Sequence, residues 1–176
     1  WRFLTFDMSL AALRSVAATA GGTLDDVAVA LVLGGLARYH RCLDSTVDAV
    51  PIGVRVSLDR ADDLGNRFAS ALIAGSLDIE DPIDRVAAVR GEVLSLHTER
   101  AREVLGAVAP TVNRMPSWLG ASVLRAGVAA DAVVVTLPGP PQRQFMAGAE
   151  VRGLNVLGPL PGSALTACLV TCADSA

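Results

Sequence analysis

The sequence has 176 residues, of which 52% are hydrophobic and 19% charged, so it can bury a substantial core and is expected to form one domain. All fifteen basic residues are arginines, which excludes mechanisms that need a lysine, such as the P-loop phosphate clamp, the pyridoxal Schiff base and the kinase strand lysine. The net charge of −3 and the aromatic content of 4% argue against nucleic-acid binding, which uses basic surfaces and stacking side chains.

The spacing of apolar side chains predicts an alternation of helices and strands. Thr23 and Asp26 have the spacing of a capping box at the start of a helix, and Pro82 suits the first position of another helix. Pro51 lacks the N–H that a central strand uses, so its strand is expected at an edge or at a bulge. In chain order the prediction is a strand at 1–6, helices to Ala20 and from Thr23 to about Arg41, strands at Val47–Leu58 and Phe68–Leu77, helices from Ile83 to about Leu105 and over Thr111–Gly127, and strands at Ala132–Leu137, near Val151–Leu157 and at Ala164–Cys172.

Helices and strands intermix without strict βαβ alternation, which indicates a layered α/β or α+β domain with a mixed β-sheet packed against helices. The first strand starts at residue 1 and the last runs into the C-terminal end without a cap. Residues 1–176 are therefore expected to be a single domain cut from a longer protein. The longest apolar run, Val27–Leu36, is shorter than the ~20 residues of a membrane-spanning helix, and no signal peptide is expected.

No complete catalytic motif is recognisable in the sequence. G-x-S-x-G, GxGxxG and HExxH are absent, and two histidines and three cysteines show no zinc spacing, so no metal site is predicted. His40 and His97 are expected to be structural, and Asp25-Asp26 is expected to cap a helix and interact with its dipole. The cysteines are expected to be free thiols in a reducing cytoplasm.

Several segments occur in an order that carries a resemblance to a known family. They are Thr23-Leu24-Asp25-Asp26-Val27, Val50-Pro51-Ile52-Gly53-Val54-Arg55, Leu64-Gly65-Asn66-Arg67, Asp81-Pro82 and Val135-Thr136-Leu137-Pro138-Gly139-Pro140, followed by Phe145-Met146-Ala147-Gly148-Ala149. This set resembles the C-terminal half of the wax ester synthase/diacylglycerol acyltransferase family, over most of the chain.

The resemblance implies one lobe of the two-lobed fold of the chloramphenicol-acetyltransferase-like, CoA-dependent acyltransferases, with a channel between the lobes. The implied reaction transfers a fatty acyl group from acyl-CoA, a substrate of the full-length protein, to a long-chain alcohol or diacylglycerol, without a covalently bound cofactor. Its general base is the second histidine of an HHxxxDG motif in the N-terminal lobe, so no catalytic residue is assigned to this chain. The residues that match family motifs, and that are expected to line the channel or support it, are Asp25, Asp26, Gly65, Asn66, Arg67, Thr136, Pro138, Gly139 and Pro140.

The sequence departs from the family pattern at two of these positions. Asp25 stands where the family has an asparagine before the conserved aspartate, and Thr136 stands where it has the asparagine of Thr-Asn-Val-Pro-Gly-Pro. His40 and Asp44 have a His-x-x-x-Asp spacing, but the first histidine and the glycine are missing, so this pair is interpreted as a chance match. Pro138-Gly139-Pro140 is expected to form a type II turn with Gly139 at positive φ.

Two alternatives stay open beside the leading hypothesis. The chain could be a degenerate, non-catalytic lobe that binds lipid or a partner, or the C-terminal lobe of a condensation domain or polyketide-associated acyltransferase. The expected partners are the N-terminal lobe of the same protein, acyl-CoA and a lipid acceptor, with a homodimer formed through the exposed lobe interface as a further option. The expected location is cytoplasmic, with attachment to membranes or lipid droplets favoured by an apolar acceptor.

Overall fold

The computed structural model describes residues 2–57, 68–98, 130–140, 142–151, 153–156 and 163–172. Within these ranges it contains α1 (Leu10–Thr19), α2 (Leu24–Cys42), β1 (Ala49–Ser57), β2 (Phe68–Ser76), α3 (Pro82–Thr98), β3 (Ala132–Pro138), β4 (Gln144–Met146), β5 (Ala149–Val151) and β6 (Leu165–Thr171).

Local capping signals set the starts of the three helices that the structure describes. The Ser9 side chain accepts a hydrogen bond from Ala12 N at the start of α1, and Thr23 caps α2. At α3, Asp81 Oδ1 accepts hydrogen bonds from the backbone N–H groups of the second and third helical residues, and Pro82 occupies the first position, where no N–H is needed. The predicted starts of α2 and α3 are confirmed to within a residue.

The main sheet is mixed, as the sequence predicts. Its four strands have the order β2-β1-β3-β6. β1 pairs antiparallel with β2, while β1 with β3 and β3 with β6 are parallel. β4 and β5 form a separate two-stranded hairpin.

The core lies between the sheet and the helices. α2 supplies its central row, with Val27, Ala30 and Leu33 buried against the sheet. Ile52 of β1 is fully buried, with 0% of its surface exposed, and neighbouring strands add Ile73, Val134 and Leu169. Gly75 of β2 leaves room for the Leu33 side chain, which would have to shift if a Cβ were added there.

Three strand predictions are wrong. Residues 2–8 have no regular secondary structure. Apolar and polar residues alternate there as in a strand, but none of the described strands pairs with this segment. Pro51 does not mark an edge or a bulge, because β1 lies between β2 and β3. The proline is tolerated because the β1–β3 ladder begins only at Ile52, paired with Ala132.

The strand predicted near Val151–Leu157 is replaced by the β4–β5 hairpin, and residues 153–156 have no regular structure. The hairpin turn places Ala147 at φ 50° and Gly148 at φ 85°, as a two-residue turn between twisted strands requires. The helix predicted over Thr111–Gly127 and the end of the one predicted to Leu105 lie outside the described residues.

In the part of the chain that the structure describes, no single helix is both long and apolar enough to cross a membrane. α1 and α2, which are bent by 96° at their junction, meet the criteria of length and composition only when they are taken together.

Candidate functional site

The carboxyl ends of the parallel strands β1, β3 and β6 all lie at the same end of the sheet. From here on, the edge of the sheet means this end and not an outer strand. In open α/β sheets, ligands bind outside the carboxyl ends of the strands. Thr136 and Pro138 are at this edge in β3, and Gly139 and Pro140 follow directly. We call Pro138–Pro140 the strand-end segment.

Thr136 lies on the helix-facing side of the sheet. It pairs in register with Leu169, which belongs to the core, as do Ala132 and Val134 at the alternate positions of β3. Thr136 is half-buried. Its hydroxyl therefore continues the row of core residues toward the edge of the sheet, on the side occupied by α2.

The strand-end segment is held against β6, although not by the predicted turn. Gly139 is not among the glycines with positive φ, so the type II turn prediction is wrong. Glycine is needed there for a different reason, because a Cβ on Gly139 would collide with the carbonyl oxygen of Thr171. The Gly139 N–H donates a hydrogen bond of 3.3 Å to Thr171 Oγ1.

Asp26 is a buried carboxylate at the start of α2, with 2% of its surface exposed. Its Oδ2 accepts hydrogen bonds from Thr23 N at 2.7 Å and from Thr23 Oγ1 at 2.8 Å. The Asp26 N–H donates in return to Thr23 Oγ1 at 3.3 Å. The capping box predicted from the sequence is confirmed.

Asp26 also contacts a third polar group, which the sequence did not predict. The guanidinium Nη1 of Arg90, on α3, lies 3.6 Å from Asp26 Oδ2, so the same oxygen caps α2 and links it to α3. We call Thr23, Asp26 and Arg90 the Asp26 cluster. A Cβ on Gly22 would lie 2.9 Å from Val86 Cγ1 and 3.3 Å from Asp26 Oδ2, so a larger residue where the chain enters the cluster would displace these side chains.

Asp25 has the opposite environment from its neighbour. It is exposed, as expected for adjacent residues that lie about 100° apart around a helix. With Asp26 it places negative charge in the first turn of α2, where the helix dipole favours it. Asp25 thus fits the predicted dipole role, and its side chain is open to a ligand or to a neighbouring part of a longer protein.

The topology directs the Asp26 cluster and the strand-end segment toward one edge of the sheet. α2 packs on β3 and leads through residues 43–48 back to the start of β1, so its amino end is directed to the edge at which β1 and β3 end. The hydrogen bonds of Asp26 stay within α2, its ion pair reaches α3, and Gly139 bonds to β6. The structure therefore brings the two groups to one side of the domain without a bond between them.

Gly65, Asn66 and Arg67 lie outside the described residues. Their flanking strands are described: β1 ends at Ser57 and β2 begins at Phe68, and these two residues pair with each other. Both ends of the connection are thus at the edge where β3 ends.

Arg85 is a buried cation that sequence reasoning missed. It is 9% exposed and donates hydrogen bonds to the carbonyl oxygens of Ile79 and Glu80. A Cβ on Gly34 would lie 2.5 Å from Arg85 Nη1. The glycine inside α2 was therefore the one feature of the sequence that could have indicated a side chain packed closely against this helix. Arg85 ties the loop before α3 to α3 itself, and its guanidinium lies close to α2 at Gly34.

A cavity of about 80 Å³ lies beside Arg85, with Leu33, Gly75 and Glu92 in its wall. Its volume is well below the roughly 300–1,000 Å³ of pockets that hold small molecules. It lies beside the start of α3, where β2 ends, and is thus separate from the edge that carries the strand-end segment. The cavity is too small to hold an acyl chain.

His40 and Asp44 form a helix end, which explains their spacing. The carbonyl oxygen of His40 accepts hydrogen bonds from Leu43 N and Ser45 N, and Asp44 N donates to Arg41 O. Asp44 has φ 51°, the left-handed conformation of a residue that terminates a helix. His40 Nδ1 is buried without a hydrogen-bond partner, and the ring lies edge-on to Tyr39 with centroids 5.5 Å apart. His40 thus belongs to a helix end, as the sequence predicts, and His97 is placed only as a residue of α3.

The cysteines do not form a disulfide with one another, and Cys42 and Cys168 are exposed free thiols. Burial of the thiol group raises the pKa of Cys168 above its usual value, although the residue as a whole counts as exposed. The described residues include no group of three or more His, Cys, Asp or Glu side chains placed to hold a metal ion.

A family model described as the WS/DGAT C-terminal domain matches residues 64–176, almost two thirds of the chain. The chain belongs to this family. Two relatives from Mycobacterium tuberculosis (strain ATCC 25618 / H37Rv), both named provisionally as diacylglycerol O-acyltransferases, are 28% identical over 167 residues and 29% identical over 161 residues. The matches cover 94% and 82% of this chain but 34% and 33% of the relatives, so the chain spans about a third of their length.

The fold of the WS/DGAT domain also agrees with a solved structure. The wax ester synthase/diacylglycerol acyltransferase from Marinobacter aquaeolei VT8 superposes with a TM-score of 0.62 at 18% identity, over 97% of this chain and 39% of that chain. The predicted family and the predicted layered fold with a mixed sheet are both confirmed. The family match favours the leading hypothesis over a condensation or polyketide-associated domain.

Proposed function

We propose that this WS/DGAT domain is the C-terminal lobe of a longer O-acyltransferase, called here the parent protein. The proposed reaction moves a fatty acyl group from acyl-CoA to a long-chain alcohol or diacylglycerol. The observation that carries the proposal is the family match over residues 64–176. The relatives named as diacylglycerol O-acyltransferases and the superposition on a wax ester synthase/diacylglycerol acyltransferase support it.

In this proposal the lobe forms one wall of the substrate channel at the edge where β1, β3 and β6 end. The acceptor hydroxyl attacks the thioester carbonyl while a base takes the hydroxyl proton, and the C–S bond then breaks to release the CoA thiolate, which takes up that proton from the base. The Asp26 carboxylate is not suited to be that base, because it is buried, accepts two hydrogen bonds from Thr23 and faces Arg90. The base is proposed to be a histidine of the N-terminal lobe, and the role of this lobe is to shape and support the channel.

The N-terminal lobe of the parent protein is the proposed partner. Two apolar surfaces support an interface with it. Phe3, Leu4 and Phe6 are 52%, 80% and 75% exposed before α1, and Phe145 and Met146 are 66% and 74% exposed on β4. Neighbouring apolar side chains that are exposed together are a feature of interaction sites. The proposed location is cytoplasmic, with attachment to membranes or lipid droplets that supply the apolar acceptor.

The activity test compares the parent protein, the isolated chain and the parent with the proposed histidine base replaced by alanine. Each is incubated with palmitoyl-CoA and either hexadecanol or diacylglycerol, and the ester is separated and quantified. The proposal expects ester from the parent protein only. A parent protein that carries HHxxxDG yet forms no ester would refute the proposal, as would ester formation by the isolated chain that is abolished by His40→Ala.

The lipid-binding alternative is supported by the departures at Asp25 and Thr136. It expects a parent protein without HHxxxDG that forms no ester but still binds acyl-CoA or lipid. Sequencing upstream of Trp1 and measuring acyl-CoA binding by calorimetry distinguish the two functions.

A further inference from the structure

Four consecutive residues, beginning with the last residue of β3, contain one backbone hydrogen-bond donor. Pro138, Pro140 and Pro141 have no N–H, so only Gly139 can donate from this stretch. The register of β3 and β6 ends with the pair of Pro138 and Thr171. Beyond that pair, a proline-rich chain has few ways to continue a ladder of hydrogen bonds.

The single donor is used by a side chain of β6. The Gly139 N–H donates to Thr171 Oγ1 at 3.3 Å, and the bond is partly buried. On the same residue, the Thr171 carbonyl lies so close to Gly139 that a Cβ would collide with it. Thr171 therefore contacts the strand-end segment twice, once through its hydroxyl and once through its backbone.

We infer that Thr171 is a positioning residue that fixes the strand-end segment at the edge of the proposed substrate channel. The rigid φ of the prolines limits the shapes of the segment, but it does not set its direction relative to the sheet. The hydroxyl of Thr171 sets that direction by holding the Gly139 N–H. Thr171 was not among the residues that the family resemblance singles out, and its effect on catalysis rests on the proposed function.

The first arm of the test measures the segment in the chain itself, by amide hydrogen exchange of Gly139. Thr171→Val removes the hydroxyl and keeps the branched shape, whereas Thr171→Ser keeps the hydroxyl. Thr166→Val is the matched control, because Thr166 is on the same strand and its hydroxyl bonds to Ser163. Equal unfolding midpoints of the variants show that each remains folded.

We expect Thr171→Val to accelerate exchange at Gly139 by about tenfold, as loss of one hydrogen bond implies. Thr171→Ser and Thr166→Val should leave the Gly139 rate near the wild-type value. The inference is overturned if Thr171→Val leaves the rate unchanged, or if Thr171→Ser exchanges as fast as Thr171→Val.

The second arm measures kcat and KM of the parent protein for palmitoyl-CoA and for the acceptor. Thr171→Val should lower kcat/KM several-fold through a displaced channel wall, and Thr171→Ser should restore it. Wild-type kcat and KM in Thr171→Val would overturn the catalytic part of the inference. If the wild-type parent is inactive, the proposed function fails, while the exchange arm still decides whether Thr171 positions the segment.

Discussion

The strongest test of the structure is the replacement of Asp26 by alanine. This change removes the acceptor of two hydrogen bonds from Thr23 and the counter-ion of Arg90. The other half of the capping box, from Asp26 N to Thr23 Oγ1, survives because it uses the backbone of residue 26. The variant therefore separates the contribution of the carboxylate from that of the helix cap.

The expected loss of stability is larger than a helix cap alone would give. The capping pattern in the sequence predicts a cost on the order of 1 kcal/mol. Hydrogen bonds to a charged group are worth about 1.5–3 kcal/mol, and the two from Thr23 together count as one such bond, because Thr23 is exposed and water can replace the lost acceptor. The Arg90 contact adds about 0.5–1 kcal/mol at most, because 34% of the Arg90 side chain is exposed to solvent. The structure thus predicts a total loss of about 3 kcal/mol.

Thermal unfolding followed by circular dichroism measures this loss. In a domain of this size 1 kcal/mol moves the midpoint by about 2–4 °C, so Asp26→Ala should unfold roughly 6–12 °C lower. Asp26→Asn, which keeps an acceptor but loses the charge, should lie between it and the wild type. Asp25→Ala is the matched control, because Asp25 is exposed in the same helical turn and should cost no more than about 0.5 kcal/mol.

Equal midpoints for Asp26→Ala and Asp25→Ala would refute the reasoning. An unchanged midpoint together with lost activity in the parent protein would assign Asp26 a catalytic role in place of the structural one.

Three further predictions follow from other contacts. Gly139→Ala should lower the free energy of unfolding by more than about 2 kcal/mol, because the added Cβ meets the backbone carbonyl of Thr171, which cannot move aside as a side chain can. Gly91→Ala is the control: nothing lies within 4 Å of its added Cβ, so it should raise the free energy of unfolding by up to about 1 kcal/mol. Equal effects of the two changes in urea unfolding would contradict the close approach of Thr171 to Gly139. Asp44→Gly should stabilise by about 1 kcal/mol because Asp44 has φ 51°, and a lower midpoint would mean that its side chain makes a needed contact. Because burial raises its pKa, Cys168 should react with iodoacetamide more slowly than Cys42 at pH 8, with the gap narrowing at higher pH; equal rates at pH 8, read by mass spectrometry, would argue against the shift.

Features with local signals could be predicted from the sequence. Thr23 and Asp26 form a capping box within one turn, and Asp81 and Pro82 start α3 through neighbouring residues. The strands β1, β2, β3 and β6 have long apolar runs, and their predicted positions agree with the structure. The capping signals depend on a few adjacent residues only, whereas a strand signal also needs a partner strand, which the alternating pattern at residues 2–8 lacks among the described residues.

Features that depend on distant residues could not be predicted. Arg90 meets Asp26 only because α2 and α3 pack together, and Gly139 is needed because β6 passes close to it. The β4–β5 hairpin gave a weak signal, since each strand has three residues and its turn begins with Ala147 where asparagine or aspartate is usual. The family resemblance pointed to Gly139, but the type II turn expected there is wrong, since glycine is needed for the close approach of Thr171.

The two sides of the candidate site differ in how firmly they are held. Asp26 is tied to Thr23 by charge-assisted hydrogen bonds and paired with Arg90, and such bonds are roughly twice as strong as neutral ones. The strand-end segment has one neutral hydrogen bond from its only donor, and the hairpin that follows it is exposed from residue 142 to residue 150. An isolated two-stranded hairpin has little stability in water. The α2 side should therefore form the rigid wall of the proposed channel, whereas the β3 side depends on Thr171 and on whatever covers the hairpin in the parent protein.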